Sequence, residues 1–83
     1  MKRYSKTIDV YDLKGLFDGF CVEVHDDKDG TEFYLYHKQY GIKEYMYGVA
    51  WTCDYCEIEA IIDTNIEASI KNYTDKYITE EIA

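Results

Sequence analysis

Cys53 and Cys56 form a Cys-x-x-Cys pair, the spacing in this sequence that most directly suggests chemistry. In redox proteins such a pair lowers one thiol pKa at a helix N-terminus, and in zinc proteins it supplies half of the ligands. The similarity to a thioredoxin motif is superficial, because the tryptophan stands one residue too far upstream and the chain has no proline. Zinc would also require Cys21 with His25 or His37. We expect both thiols to be small apolar residues at a helix start, and no metal or cofactor to be bound.

The acidic run that begins at His25 partly matches a calcium-binding loop. Asp27, Asp29 and Gly30 fall at the third, fifth and sixth positions of such a loop. However, His25 occupies the first position and Tyr36 the twelfth, where the loop needs an aspartate and a bidentate glutamate. An Asp-Gly pair between two alternating apolar segments is instead a strong hairpin signal. The sequence therefore predicts a solvated hairpin tip here.

Nucleophilic catalysis requires a nucleophile, a base and an orienting group that converge in space. The chain has few such groups, and glycine-rich phosphate loops are absent. His37 shares a predicted strand face with apolar residues, which is typical of a packed histidine. We therefore expect a protein that is not an enzyme.

Tyrosine is the most distinctive residue of the chain, with ten among 83 residues. It joins a large apolar ring to a hydroxyl, so a tyrosine-rich sheet serves either as core or as a partner-binding surface. Strand packing alone favours tyrosine, and both interpretations stay open at this stage. The interface hypothesis assigns apolar anchors and phosphate-like charges to one partner-binding set: Tyr34, Tyr36, Tyr40, Tyr45, Tyr47, Asp26, Asp27, Asp29 and Glu32.

The charge of the chain excludes several kinds of partner. The formal net charge is -8, and residues 54–83 alone carry eight acidic and two basic groups. Direct binding of nucleic acid or of an anionic membrane depends on lysine and arginine, so neither is expected. A protein with a basic surface is the natural complement. Three cysteines without a secretory signal predict reduced thiols and a cytoplasmic location.

Hydrophobic periodicity predicts the elements that position these residues. Residues 2–10 alternate as a strand, a short helix begins near Asp12 and ends at Gly19, and residues 20–25, 31–37 and 43–52 alternate as three further strands. From residue 54 onward isoleucines recur at helical spacing, and Thr64 with Glu67 has the spacing of a capping box, which leaves open whether this region is one helix or two.

These elements predict an α+β fold within one domain, residues 1–83. The expected order is β-α-β-β-β-α, with a further helix if the capping box at Thr64 divides the last one. The architecture is an antiparallel sheet of three or four strands, with the C-terminal helix or helices packed on one face. If the helix covers Phe20, Val22, Val24, Phe33 and Leu35, the opposite face presents Tyr34, Tyr36 and some of the other tyrosines.

The tyrosine-rich segment of residues 33–48, followed by an acidic isoleucine helix, resembles a group of short uncharacterised proteins of gut-type Firmicutes bacteria. Such proteins are often encoded on mobile elements or phages, and the resemblance implies a small bacterial accessory protein. In size and acidity the chain is also similar to anti-CRISPR and other counter-defence proteins. Many of those occupy the nucleic-acid site of a host enzyme.

Three functional hypotheses follow from the sequence. The first is a non-enzymatic protein that inhibits or regulates a larger, basic protein partner by mimicking nucleic acid. In the second, the tyrosine-rich face is the interface of a homodimer. The third is a small zinc protein with cysteine ligands.

Overall fold

Four antiparallel strands and one long helix make up the part of the chain that the structure describes, residues 7–13 and 15–78 of a computed structural model. The strands are β1 (Thr7–Asp12), β2 (Phe20–Asp27), β3 (Gly30–His37) and β4 (Glu44–Val49), and the helix α1 spans Tyr55–Tyr73. The α+β prediction is confirmed. Residues 2–6 of the predicted first strand, and 79–83, lie outside the described residues.

The strands form a simple meander in the order β1-β2-β3-β4, and each pairs antiparallel with its neighbour. Asp27 pairs with Gly30, so a two-residue turn at Lys28 and Asp29 closes the predicted hairpin. Sequence neighbours pair in this topology, so the hydrophobic alternation of each strand fixes which side chains share a face.

The short helix expected after Asp12, for which the sequence also allowed a single 3-10 turn, is the 3-10 turn Gly15–Phe17, which joins β1 to β2. Gly19 has a φ of 92°, the left-handed conformation predicted for the residue that ends this turn. The backbone N–H of Leu13 donates to the carbonyl of Phe20 at 3.0 Å, and this bond brings β2 back alongside β1.

The sequence left one helix or two open for the C-terminal region, and the structure has one helix that continues through Thr64. The capping box lies at the helix start, where Asp54 accepts from the backbone N–H of Glu57 and the Glu57 carboxylate accepts from the N–H of Asp54. The Thr64 hydroxyl donates to the carbonyl of Ala60 within the helix. A threonine inside a helix satisfies its hydroxyl in this way without breaking the helix.

The core lies between α1 and one face of the sheet. Phe20, Val22 and Val24 of β2 and Phe33 and Leu35 of β3 are buried there, as predicted. The buried residues of α1 that cover them are Ile58, Ile62, Ile66 and Tyr73. Burial of apolar surface at about 25 cal/mol per Å² is the main force that holds the two layers together.

A β-bulge in β4 separates two of the tyrosines. Tyr34 pairs with Tyr45 and Phe33 pairs with Tyr47, so Met46 is the extra residue between them. Tyr47 therefore lies on the helix side of the sheet, with its ring 6.4 Å from that of Phe33. Tyr45 points to the opposite side, where its ring contacts that of Tyr34 at 5.8 Å.

The end of the helix is anchored to β4 and the loop before it. The Tyr73 hydroxyl donates to the carbonyl of Ile42 at 2.6 Å. In the π-helical turn Thr74–Ile78 that follows, the hydroxyl of Tyr77 and the ammonium of Lys76 both contact the Glu44 carboxylate, which lowers the pKa of Glu44. Within the described residues, no helix is long and apolar enough to cross a membrane.

Candidate partner-binding surfaces

The face of the sheet that α1 does not cover is called the open face below. Its strand pairing places side chains in three rows across the four strands. The middle row runs from Val10 through Glu23 and Tyr34 to Tyr45. The full set of open-face side chains is Ile8, Val10, Asp12, Cys21, Glu23, His25, Glu32, Tyr34, Tyr36 and Tyr45.

Large apolar side chains are exposed on this face. Ile8 is 53% exposed, Val10 is 54% exposed and Tyr45 is 60% exposed. No described element of the chain lies over them. Ile8 and Val10 are neighbours on the edge strand β1, and Tyr45 lies on the opposite edge strand β4. Contiguous exposed apolar surface often marks an interaction site.

Glu23 is a buried carboxylate at the centre of the open face, with only 9% of its side chain exposed. It accepts from Nε2 of His25 at 2.6 Å and from Nζ of Lys43 at 3.0 Å. Lys43 reaches it from the loop before β4 by lying over the ring of Tyr36, 5.8 Å from the centroid. The hydrogen bond from His25, and then that from Lys43, lowers the pKa of Glu23.

This arrangement predicts a pH dependence of stability that a Glu23→Gln variant removes. A lowered carboxyl pKa stabilises the fold fully above its ordinary value near 4.5, and this contribution is lost as the pH falls through the folded-state value. We expect Glu23→Gln to lower the free energy of unfolding by about 1 kcal/mol at pH 7. The difference from the wild type should begin to shrink as the pH falls below about 4.5 and vanish only below the lowered folded-state pKa of Glu23. Urea unfolding at graded pH measures this.

A matched variant controls for the change in net charge. Glu59 lies on the exposed side of α1 and takes part in no ion pair among the described residues. Glu59→Gln removes the same charge without removing an ion pair. A Glu23→Gln protein whose stability stays parallel to that of wild type from pH 7 to pH 3 would contradict the proposed role of the pair.

Asp12, another carboxylate of the open face, also has its negative charge balanced by a lysine. Asp12 accepts from Nζ of Lys38 at 2.8 Å and from the thiol of Cys21 at 3.1 Å. Burial raises the pKa of the Cys21 thiol, so this cysteine stays protonated and is a poor nucleophile. Asp12 and Glu23 of the open face are therefore each balanced by a lysine, whereas the exposed apolar side chains of the face lie on the edge strands β1 and β4.

The acidic side chains are concentrated elsewhere, first at the tip of the β2–β3 hairpin. A pocket of about 290 Å³ is lined by Asp27, Asp29, Gly30, Glu32 and Val49. The Asp27 carboxylate accepts from the backbone N–H of Asp29 at 2.8 Å and fixes the turn. Lys28 is exposed and has no ion pair within the described part of the chain.

A second acidic region lies on the outer side of α1. Glu59, Asp63 and Glu67 follow one another at four-residue intervals, so they form one exposed stripe along the helix. The open face and this stripe lie on opposite sides of the molecule, because α1 covers the other face of the sheet.

The structure divides the predicted partner-binding residues among several places. Tyr34, Tyr36, Tyr45 and Glu32 lie on the open face, and Asp27 and Asp29 lie at the tip beside it. Tyr40 is in the β3–β4 loop with its ring 5.3 Å from that of His37. Tyr47 is on the helix side. Asp26 accepts a 2.6 Å hydrogen bond from the buried Thr31 hydroxyl, so its carboxylate is engaged within the monomer.

Sequence reasoning missed the aliphatic part of the open face. Ile8 and Val10 belong to the alternation that predicted the first strand, and that alternation already placed them on one face. Glu23 and Lys43 were missed as well, and nothing local in the sequence indicates their ion pair, because 20 residues separate them.

The cysteines do not converge. Cys53 is buried in the core beneath the helix, and burial raises its pKa, whereas Cys56 is exposed and Cys21 lies on the other side of the sheet. Among the residues described, no group of three or more His, Cys, Asp and Glu side chains is placed to hold a metal ion.

No family model, curated protein or solved structure matches this chain. The surfaces themselves therefore provide the basis for a functional argument.

Proposed function

We propose that this chain is a small acidic binding protein, not an enzyme, that inhibits or regulates a larger protein by occupying a basic surface. The hairpin tip is the proposed contact, and the partner's basic surface is of the kind that binds nucleic acid. The observation that carries the proposal is the pocket lined by Asp27, Asp29 and Glu32, whose carboxylates form no ion pair with another described residue.

The distribution of ion pairs supports this choice of surface. Lys38, Lys43, Lys71 and Lys76 each pair with a carboxylate elsewhere in the molecule. None of them reaches the tip, and the carboxylates there form no ion pair with another described residue. A lysine or arginine side chain from a partner would supply the missing positive charge. Charge-assisted hydrogen bonds of this kind are stronger than neutral ones.

The tyrosines beside the tip extend the proposed contact. Tyr34 donates to the Glu32 carboxylate at 3.4 Å, and Tyr45 packs edge-on against Tyr34. Aromatic rings next to carboxylates suit arginine, which stacks on a ring while it donates to the acid. By analogy with the counter-defence proteins that the chain resembles in size and acidity, a nucleic-acid-binding host enzyme is the partner class that we propose.

Two charge-matched variants test the contact. The tip variant is Asp27→Asn, Asp29→Asn and Glu32→Gln, and the helix variant is Glu59→Gln, Asp63→Asn and Glu67→Gln. Both remove three negative charges, and asparagine at position 27 keeps the oxygen that accepts from Asp29. We expect the wild type and the helix variant to capture the partner from cells of the source organism and to inhibit it after purification. The tip variant should do neither.

Salt provides an independent readout. Contacts between exposed charges are screened beyond about 8–10 Å at ordinary ionic strength, so capture by the wild type should fall steeply as salt rises. Capture that is indifferent to salt, or that the helix variant loses and the tip variant retains, would refute the tip as the binding site.

A further inference from the structure

We infer that the open face is an interface between two copies of this chain, packed sheet against sheet around a twofold axis. This inference does not depend on the proposed function, because it concerns the exposed apolar side chains of the edge strands β1 and β4 and not the carboxylates of the tip. Tyr45 is the one side chain that both proposals use.

The charges of the open face favour a second copy over a basic partner. Glu23 is paired with Lys43, and Asp12 is paired with Lys38. The region around Val10 therefore exerts no net electrostatic attraction on a partner with a basic surface. The exposed large apolar side chains of the face are Ile8 and Val10 on β1 and Tyr45 on β4, at its two edges. Burial of such a surface is driven by the hydrophobic effect, which requires no opposite charge on the partner.

The fold also keeps the negative charges of two copies apart. In a face-to-face pair the two α1 helices lie on the outer sides, since α1 covers the opposite face of each sheet. Packed sheets lie about 10 Å apart and a helix layer adds about 10 Å on each side, so the helix axes would be roughly 30 Å apart. That distance is several times the Debye length of about 8 Å at physiological salt. Repulsion between the acidic stripes is therefore weak.

The need to keep the negative charges of the two copies apart also selects the direction of the twofold axis. An axis that runs across the strands, along the row of Val10 and Tyr45, places the two acidic tips at opposite ends of the dimer. Each tip then lies near Lys38 and Lys43 of the other copy, which are half exposed at the far end of the face. An axis parallel to the strands would bring the two tips together. Sheets related by an axis across the strands also bury β1 against β1 and β4 against β4.

The area of the face predicts a weak dimer. Four strands about 4.8 Å apart and about six residues long present a face of roughly 400 Å² in projection. The total buried area is then on the order of 1,000 Å², at the lower limit for specific interfaces. We expect a dissociation constant in the micromolar range, so the chain is monomeric when dilute and dimeric well below about 1 mM.

Sedimentation equilibrium, from about 10 µM up to about 1 mM, tests this expectation. Ile8→Thr with Val10→Thr keeps the branched shapes of a strand while making the face polar, and it should weaken the dimer at least tenfold. Val10→Arg should abolish it by steric bulk. Ile42→Thr is the matched control, because Ile42 is similarly exposed at 44% but lies in a loop outside the sheet. Circular dichroism melting confirms that each variant is folded.

The outcomes separate this inference from the proposed function. The tip variant should still dimerise, and the dimer should persist at high salt, unlike the contact with a basic partner. A wild type that remains monomeric at about 1 mM would overturn the inference. Dimerisation that survives Val10→Arg in a folded protein would overturn it equally, because the interface would then lie elsewhere.

A crosslinking experiment tests the axis. In a Cys56→Ser background, Val10→Cys should react across the dimer with a short bismaleimide, because the proposed axis places the two residues at position 10 opposite each other. Cys21 and Cys53 are buried and should react slowly. Failure to crosslink while the variant still dimerises would overturn the proposed axis.

Discussion

Replacement of Gly30 by alanine is expected to destabilise the protein by about 3 kcal/mol or more, a large share of the 5–15 kcal/mol typical of small domains. A Cβ at this position would lie 2.1 Å from the backbone carbonyl oxygen of Val49 and 3.2 Å from Cα of Ala50. Backbone atoms do not move aside as a side chain does, so β4 would have to separate from the start of β3. The φ of 153° adds strain for any residue with a Cβ.

Gly41→Ala is the matched control for this prediction. Gly41 also has a positive φ, 72°, but a Cβ there meets no atom within 4 Å. Its substitution should therefore cost only the left-handed backbone strain, about 1 kcal/mol. Thermal and urea unfolding of both variants separates the effect of the close contact from that of the backbone conformation. Equal destabilisation by the two substitutions would mean that β4 does not approach Gly30 as closely as described.

Thr31→Val is expected to destabilise the protein by about 2–3 kcal/mol although the two side chains have the same shape. Thr31 is fully buried, and its hydroxyl links three segments of the chain. It donates to the Asp26 carboxylate at 2.6 Å, lies 3.1 Å from the carbonyl oxygen of Trp51, and accepts from the backbone N–H of Cys53 at 2.9 Å. Valine removes all of these contacts and leaves the Cys53 N–H without its partner.

A Thr31→Ser variant distinguishes the contribution of the hydroxyl to stability from that of the methyl group. Serine keeps the hydrogen bonds and loses one buried methyl, so its cost should be about 1 kcal/mol. The start of α1 should also fray in Thr31→Val but not in Thr31→Ser, since Cys53 directly precedes the N-cap residue Asp54. Faster amide exchange in the first turn of the helix would report this. A valine variant that is no less stable than the serine variant would show that the hydroxyl contributes nothing.

The proposed surfaces depend on these two residues. Gly30 lines the tip pocket, and its close approach to Val49 brings the end of β4 beside the hairpin. Thr31 connects the same end of the sheet to the segment that leads into α1. The carboxylates of the tip are therefore presented by a part of the fold in which backbone contact and a buried hydroxyl limit movement.

Local patterns predicted the parts of the fold in which neighbours in sequence are neighbours in space. The alternation of Phe20, Val22 and Val24 identified the core face of β2, and the Asp-Gly pair located the hairpin. The isoleucines at helical spacing identified the buried side of α1. Each of these patterns depends only on the hydrophobic periodicity of one strand or helix and on which side of that element is buried.

The sequence predicted the position of the helix cap only in part. Both Asp54 with Glu57 and Thr64 with Glu67 have the spacing of a capping box. Only the first is used, because Ile58, Ile62 and Ile66 form one uninterrupted stripe against the sheet. A break at Thr64 would turn part of that stripe away from the core.

The sequence by itself determined the two layers of this protein, its acidic character and the presence of a sheet face without a helix to cover it. Only the tertiary structure decided which side chains meet on that face. The bulge at Met46 sends Tyr45 and Tyr47 to opposite sides, Asp26 turns inward to Thr31, and Lys43 crosses the sheet to Glu23. Each of these outcomes depends on the register between strands and on contacts between distant residues, and the periodicity of one element contains neither.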